Sequence, residues 1–500
     1  MNLEKSKPEG RKPSEIWADD LFGRSEEAGQ LIGYIESISQ LARSRESASA
    51  YTLAVDAGYG EGKTFFLKRL AEHIALSHPV AFVDAWTDDL ADEPLTALAA
   101  TLKQAITPLF PVNRRLRKRW KNVASRAGDV AIVAGKGAVK RLIGAAVGHE
   151  GAEAISHFAG QFGETLTEEL KGASNDASKE GVEAAFKTAK PPPDWMQQRI
   201  NDFEAGRKAI RDLKESLAAL VDELRARGPY EPPIVILIDE LDRCRPTYSI
   251  KLLEEIKHLF DVPGLVFIFG MFGTQLERSI KHAYGADFDG ASYLKRFINR
   301  RYRLRTPSLE PLIKELLKAS GIQPERLGFP MIEEEGLAPK KGAPEMLIAA
   351  YLEAYNLKPR DAFRLMDILQ TCAGLTGSAK LELGYLLPLL LTEMTFGEGY
   401  PLTRSPRGFK WTFWIGVDRG FDRSAHTPAP DDYAAVLDQL SNLDERQLNQ
   451  NDSYEAHMVL RSRSYDNRLA HIGAYPSLLQ TVGRFTNPAL DDGARRQHPT

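Results

Sequence analysis

A glycine-rich segment, Ala57-Gly58-Tyr59-Gly60-Glu61-Gly62-Lys63-Thr64, directly follows the apolar run Tyr51–Asp56. An apolar run that turns through glycines into Lys-Thr and a helix-forming segment is the layout of a phosphate-binding loop. Glycines let successive backbone N–H groups point at phosphate oxygens, and the following helix adds partial positive charge at its N-terminus. We therefore predict that Ala57 to Phe65 bind a nucleotide, with Ala57 standing where the first glycine of such loops is usual.

A second motif supplies carboxylates for the same chemistry. The apolar run Ile234–Ile238 is typical of a strand buried on both faces of a parallel sheet, and it ends in Asp239-Glu240. Because parallel strands present their carboxyl ends to the ligand, we predict that Asp239 and the Thr64 hydroxyl hold Mg²⁺. Lys63 can reach the β- and γ-phosphates. Glu240 is placed to orient or deprotonate the attacking water, so Lys63, Asp239 and Glu240 are the predicted catalytic residues, with ATP and Mg²⁺ as cofactors.

Composition and length exclude several classes of protein. The 500 residues suggest about two to four domains, and 43% hydrophobic with 27% charged residues is ordinary globular composition. The net charge of −3 argues against a surface wholly devoted to nucleic acid. Two cysteines, Cys244 and Cys372, argue against a disulfide framework. With a polar N-terminus and no long apolar run, we expect no signal peptide and a cytoplasmic location.

Apolar runs alternate with helical patterns along the chain. Strand candidates near 51–56, 79–84, 234–239, 265–270 and 302–306 predict an α/β fold with a parallel sheet and helices on both faces. The second and third candidates are about 150 residues apart, more than a crossover needs, which indicates an insertion. The predicted organisation is a disordered N-terminus (1–18), a nucleotide-binding core (19–110 and 229–306), a mostly helical insertion (111–228), a helical lid (307–395) and a C-terminal region with a loose tail (396–500).

The insertion begins with a dense basic run. Between Asn113 and Arg141 there are ten Lys and Arg residues and one acid, Asp129. An Ala/Gly/Val-rich stretch overlaps and follows it, and Trp195–Arg227 has the spacing of a long amphipathic helix. The basic run fits a solvated helix face, peripheral membrane contact through 111–160, or nucleic-acid contact. Between membrane contact and nucleic-acid contact, the Ala/Gly/Val-rich stretch favours contact with the inner face of the membrane.

Several segments together resemble the KAP family of P-loop NTPases. They are the glycine loop, Val83–Trp86, Asp239-Glu-Leu-Asp-Arg-Cys-Arg-Pro246 with the helix and strand after it, Tyr293–Phe297, and Lys358–Arg364. The resemblance covers roughly 20–110 and 230–370, and it implies a P-loop NTPase fold of the AAA+/STAND-like kind with an insertion between the nucleotide motifs and a helical lid. Members often carry membrane-spanning helices in that insertion, whereas the charges here suggest a soluble or peripheral version.

Two positions depart from the family pattern. Asp239-Glu240 replaces the usual Asp-Asp, which keeps a carboxylate suited to hydrolysis. After the next strand the family usually has an Asp near Phe272, where this chain has Gly270-Met-Phe-Gly-Thr-Gln275. Thr274 or Gln275 would be weak substitutes as the residue that senses the γ-phosphate.

Hydrolysis also needs positive charge on the transferring phosphoryl group, and an arginine is a common source. The candidates for an arginine acting in trans are Arg243, Arg245, Arg296, Arg300 and Arg301. Arg360 or Arg364, in the lid motif, could sense the γ-phosphate and close the lid. We expect Asp242 to anchor Arg243 or Arg245 rather than to touch the metal.

Three functions fit the sequence. The favoured one is Mg²⁺-dependent ATP hydrolysis that drives a conformational or assembly switch, with a homo-oligomer or other defence-system subunits as partners. Family members of this kind are linked to bacterial exclusion of phage, so the resemblance implies anti-phage defence. The alternatives are a peripheral membrane scaffold with a structural nucleotide, and a nucleic-acid-dependent ATPase that uses the basic run or the aromatic residues near Trp411.

Overall fold

The computed structural model describes residues 11–43, 49–91, 93–111, 113–145, 195–227, 230, 232–259, 261–334, 338, 340–396, 409, 411–416, 425–426, 428–451, 453–463 and 469–482. The chain divides into two compact units near Leu304. Two short segments before that point, Asp19–Arg24 and Tyr59–Gly62, belong to the second unit.

Five strands among the described residues form the parallel sheet of the first unit. They are β1 (Tyr51–Asp56), β2 (Val80–Asp84), β3 (Ile234–Asp239), β4 (Leu265–Met271) and β5 (Arg300–Arg303). Their order is β2-β3-β4-β1-β5, and each neighbouring pair is parallel. The carboxyl ends of β1 and β3 therefore lie at one edge of the sheet, with β4 between them. The first four predicted strands are confirmed, whereas the fifth, expected at 302–306, spans Arg300–Arg303 because these residues pair with Leu53–Asp56.

Helices cover both faces of this sheet, as predicted. Alternate residues of a strand point to opposite faces, so Ile234, Ile236 and Ile238 join one apolar cluster while Val235 and Leu237 join another. Every residue of β3 and β4 is buried, which explains their nearly continuous apolar sequences. The helices before residue 305 are α1 (Pro13–Ile16), α2 (Arg24–Arg43), α3 (Lys63–Ile74), α4 (Ala85–Asp88), α5 (Pro94–Ile106), α6 (Arg114–Ala145), α7 (Trp195–Arg227), α8 (Pro246–Ile256), α9 (Gly273–Tyr284) and α10 (Gly290–Leu294).

Two long helices, α6 and α7, form most of the described part of the insertion. The predicted helix Trp195–Arg227 is confirmed with those bounds. Leu116, Trp120 and Val123 on α6 share an apolar cluster with Leu213 and Leu217 on α7. Spacings of three and four residues place these side chains on one face of α6, and the basic residues of this helix between 114 and 126 are exposed. No described helix combines the length and apolar character that a membrane crossing requires.

The second unit is mostly helical and has its own apolar cluster. Its helices are α11 (Glu310–Ser320), α12 (Pro344–Ala354), α13 (Pro359–Leu375), α14 (Leu383–Phe396), α15 (Pro430–Ser441), α16 (Glu445–Asn449), α17 (Tyr454–Arg463) and α18 (Tyr475–Val482). Short strands accompany them: β6 (Leu327–Gly328), β7 (Met331–Glu334), β8 (Leu381–Glu382), β9 (Trp411–Gly416) and β10 (Ala425–His426).

The predicted lid and C-terminal region share the core of this unit. Strand β9 pairs antiparallel with β7, and Phe413 is fully buried against Tyr433 at a ring-centroid distance of 5.1 Å. The Trp411 ring lies edge-on to Tyr351. These aromatic rings form part of the core, and the neighbouring Arg404, Arg407 and Lys410, which would have completed a base-stacking surface, lie outside the described residues.

Candidate functional site

The glycine loop connects the end of β1 to the start of α3, as its sequence predicts. Gly60 and Gly62 have φ of +78° and +84°, in the left-handed region that favours glycine. Ala57 is 5% exposed, its amide donates to the Met271 carbonyl at 3.2 Å, and its methyl group joins an apolar cluster of the first unit. The alanine in place of the usual first glycine is therefore accommodated by packing.

The middle of the loop, Tyr59–Gly62, belongs to the second unit and makes polar contacts there. The Glu61 carboxylate pairs with the Lys358 ammonium at 3.1 Å. The Arg24 guanidinium, 1% exposed, donates to the Glu61 carbonyl at 3.2 Å and to the Arg305 carbonyl at 3.0 Å. A Cβ at Gly60 would lie 3.3 Å from the Cβ of Arg360, so this glycine also permits a close approach.

Lys63, the first residue of α3, is buried and forms an ion pair. Its ammonium donates to Asp242 Oδ1 at 2.9 Å, and the two side chains are 8% and 0% exposed. The neighbouring Thr64 hydroxyl donates to Glu240 Oε1 at 3.4 Å. The structure thus brings Lys63 and Thr64 from the glycine loop together with the acidic residues that follow β3.

Asp239, the last residue of β3, is 1% exposed. Its Oδ1 accepts the backbone N–H of Glu240 at 2.8 Å, while its Oδ2 has no hydrogen-bond partner among the described residues. The pKa of the Asp239 carboxyl is raised, because the effect of burial outweighs the lowering by the nearby Thr64 hydroxyl, Glu240 amide and Lys63 ammonium. A cation beside Oδ2 would satisfy this oxygen and stabilise its charge.

The Glu240 side chain is held by a neighbour in the following turn, Leu241–Arg243. Its backbone has φ +59° and ψ +26°, a left-handed conformation that is uncommon for a residue other than glycine. Glu240 Oε1 pairs with the Arg243 guanidinium at 2.9 Å. That guanidinium lies 5.6 Å from the ring centroid of Trp86, a side chain that is 54% exposed. The carboxylate predicted to activate water is therefore paired with a cation of the same chain.

The residues present fit a Mg²⁺ ion. Thr64 offers a hydroxyl oxygen and Asp239 an unpartnered, buried carboxylate oxygen, and Mg²⁺ prefers hard oxygen ligands of this kind. Since Mg²⁺ is usually bound through one or two protein ligands together with substrate phosphates, two such oxygens are sufficient. Both groups are the ones that the sequence predicts as metal ligands.

The predicted arginines occupy different environments. Arg243 pairs with Glu240, Arg245 pairs with Asp89 at 2.9 Å, and Arg301 pairs with both Asp56 and Glu277. Arg296, Arg300 and Arg360 are exposed, and Arg364 is half-buried. An arginine acting in trans and a lid arginine acting as a sensor stay predictions.

Sequence reasoning missed the partners of two aspartates. Asp242 anchors neither Arg243 nor Arg245, contrary to expectation, because it faces Lys63. Asp56, the last residue of β1, accepts the Gly273 N–H at 2.9 Å and pairs with Arg301 at 3.5 Å. The only linear signal for either residue is an acid at or just after the carboxyl end of an apolar strand.

Comparison with known proteins identifies the family to which these motifs belong. No protein of curated function matches the sequence at a significant level. The family model described as the KAP family P-loop domain matches residues 31–373, a range that contains the glycine loop, β3 with its acidic pair, the insertion and the Lys358–Arg364 motif. With more than half of the chain matched and both nucleotide motifs inside the match, this protein belongs to the KAP family of P-loop NTPases.

Proposed function

We propose that the protein is a Mg²⁺-dependent ATPase whose turnover drives a conformational or assembly switch. The observation that carries the proposal is the convergence of Lys63 and Thr64 with Asp239 and Glu240 at one edge of the sheet. Phosphoryl transfer requires mainly positioning and compensation of negative charge, and these groups supply both.

Each residue has a distinct part in the proposed mechanism. The loop amides and the Lys63 ammonium bind the phosphates, and Thr64 and Asp239 would hold Mg²⁺, which when bound draws charge from the phosphate oxygens. Glu240 accepts the proton of the attacking water or orients it. Because Glu240 Oε1 is paired with Arg243, the orientation and the basicity of this carboxylate depend on whether that pair is made. A subunit interface that moves Arg243 would make turnover depend on assembly.

The test is steady-state ATP hydrolysis by the parent protein and by Glu240→Gln across a protein-concentration series. We expect turnover per subunit that rises with concentration in the parent, and a variant that binds ATP but turns over at least about a hundredfold more slowly. Glu240→Gln that hydrolyses ATP at the parental rate would remove Glu240 from the mechanism. Bound ATP without turnover in either protein would favour a structural nucleotide, the scaffold alternative.

Lys63→Ala provides a matched variant on the other side of the site. Since Lys63 contacts phosphates in both the bound and the reacting states, this variant should lose nucleotide affinity as well as turnover.

A role in anti-phage defence forms part of the same proposal and is supported by family resemblance alone. Its test is the plating efficiency of phage on cells that carry the parent gene or Glu240→Gln.

The exposed face of α6 favours nucleic-acid-dependent turnover as a second candidate function. Between residues 113 and 130 its large apolar side chains are buried, and the exposed arc of this stretch, which spans about 200° at 100° per residue, contains none. Cations spread so widely suit phosphates on both sides of a groove better than a flat bilayer surface. No described acidic side chain pairs with the six cations in this arc, Arg114, Arg115, Arg117, Lys118, Arg119 and Lys121.

This candidate is tested by ATPase assays with duplex DNA and by binding to fluorescent duplex at several salt concentrations. We expect stimulation by DNA and an affinity that falls steeply with salt, both lost in Arg117→Glu/Lys118→Glu/Lys121→Glu. The control is Arg207→Glu/Lys208→Glu/Arg211→Glu, equal in charge change and exposed on α7. Flotation with phosphatidylserine vesicles, without DNA binding, would support the membrane alternative instead.

A further inference from the structure

A buried ion pair links the two nucleotide motifs of the first unit. The Lys63 ammonium and Asp242 Oδ1 are 2.9 Å apart, and neither side chain is more than 8% exposed. Charges that are taken out of water need a partner, because an unpaired buried charge is strongly destabilising. Lys63 is also the group that the proposed function requires at the phosphates, so the pair and a nucleotide use the same ammonium.

The Asp242 carboxylate also forms a hydrogen bond with the backbone at the end of β4. Asp242 Oδ1 accepts the backbone N–H of Phe272 at 2.9 Å, one residue beyond the last residue of β4, Met271. This is the position near which the sequence lacks the expected acidic residue. Asp242 reaches it from the turn after β3, and its second oxygen, Oδ2, is buried without a hydrogen-bond partner among the described residues.

We propose that Asp242 is the positioning residue of Lys63: it holds the ammonium in the nucleotide-free protein and competes with the phosphates for it. This inference rests on the proposed function and adds a residue to it. When phosphates take Lys63, Asp242 is left as a buried carboxylate, and the loss of that pair weakens nucleotide binding. Mg²⁺ brought in with the nucleotide restores positive charge at this edge, so the competition is strongest for a Mg²⁺-free nucleotide.

The decisive experiment measures ADP binding in EDTA by isothermal titration calorimetry, for the parent and for Asp242→Asn. Asparagine keeps the shape and the acceptor for the Phe272 N–H but removes the competing charge. We expect Asp242→Asn to bind Mg²⁺-free ADP at least about tenfold more tightly, with a smaller gain in Mg²⁺. Equal or weaker binding by Asp242→Asn would overturn the proposal.

Asp56→Asn is the matched control. Asp56 also ends a strand at this edge of the sheet and accepts a backbone N–H, that of Gly273 at 2.9 Å, but its cation is Arg301 rather than Lys63. A gain in ADP affinity as large for Asp56→Asn as for Asp242→Asn would show a general charge effect and would contradict the proposal. Failure of every protein to bind any nucleotide would overturn the proposed function together with this inference.

Thermal unfolding supplies a second measurement that needs no nucleotide. Lys63→Met leaves the Asp242 carboxylate buried without its cation and should lower the melting temperature, and adding Asp242→Asn should restore much of the loss. No restoration in Lys63→Met/Asp242→Asn would mean that the two side chains are not coupled, which also contradicts the proposal.

Discussion

Single residues at the ends of β3 and β4 determine how the acidic groups are presented. The left-handed backbone of Glu240 returns its N–H to Asp239 Oδ1 and leaves Oδ2 without a described partner. Such a conformation costs on the order of 1–3 kcal/mol outside glycine and is often found at functional sites. Its consequence here is that Asp239 Oδ2 is the carboxylate oxygen left for the Mg²⁺ of the proposed function.

Gly270 on β4 makes room for this arrangement. A Cβ at residue 270 would lie 2.5 Å from Asp239 Oδ1 and would also collide with Leu67 Cδ1. We therefore expect Gly270→Ala to lower the free energy of unfolding of the first unit by about 1–3 kcal/mol, through overpacking. Urea unfolding followed by circular dichroism measures this.

The control for this prediction is Gly128→Ala. Gly128 lies on an exposed part of α6, and a Cβ there would have no heavy atom within 4 Å. Alanine should stabilise that helix by about 0.5–1 kcal/mol because it loses less backbone entropy than glycine. Equal effects of the two substitutions would show that Leu67 and Asp239 do not constrain Gly270.

Among the elements, α6 combines two opposite surfaces. Trp120 is 5% exposed and belongs to the apolar cluster shared with α7, whereas Lys121 is exposed. The buried side determines how the helix is held, and the exposed side determines which partners it can meet. This division is why a strongly basic segment can still be an ordered part of the first unit.

Truncation of Trp120 tests the buried side of α6. We expect Trp120→Ala to lower the free energy of unfolding by about 3–5 kcal/mol, because a large ring is removed from a packed cluster. Lys121→Ala, one residue away on the exposed side, should change it by less than about 0.5 kcal/mol. Similar losses for both variants in urea unfolding would contradict the assignment of the two faces.

At the scale of the whole molecule, the described residues form two units with separate apolar clusters. Unfolding is therefore expected to occur in more than one transition, and a substitution in one core should shift mainly the transition of its own unit. A buried carboxyl in the second unit should make the transition of that unit depend on pH.

Glu382 is the buried carboxyl in question. It is 2% exposed, its Oε1 accepts the Tyr433 hydroxyl at 3.4 Å, and burial raises its pKa to about 8. In the unfolded chain its pKa is about 4.3. Between this pH and about 8 the carboxyl is therefore protonated in the folded unit and ionised in the unfolded chain. The contribution of this carboxyl to stability is therefore fully present below about pH 4.3 and is lost as the pH rises to about 8, by up to about 5 kcal/mol.

Glu382→Gln should remove this pH dependence. Glutamine keeps an acceptor for the Tyr433 hydroxyl but cannot ionise, so the variant should melt above the parent at pH 8 and close to it at pH 5. Thermal unfolding at a series of pH values checks the shift in the transition of the second unit. A parent transition that does not fall between pH 5 and 8 would show that the carboxyl is not buried as the structure has it.

Features that depend on neighbouring residues could be predicted from the order of the amino acids. The glycine loop, the buried strands β3 and β4 and the helix Trp195–Arg227 follow from local spacing of apolar residues and glycines, and four of the five strands lie within a residue of their predicted bounds. The P-loop NTPase fold could be predicted because both nucleotide motifs occur in the expected order along the chain.

The pairing of the charged groups at the site, in contrast, depends on the tertiary structure. Lys63 and Asp242 are 179 residues apart, and nothing near either one in the sequence selects the other. Asp242 was expected to bind an arginine next to it, but the turn after β3 directs it to Lys63, while Arg243 folds back onto Glu240. The physical reason is that a charge buried at the end of a strand pairs with whichever opposite charge the packed sheet brings within hydrogen-bond distance, and strand order, rather than sequence proximity, sets that choice.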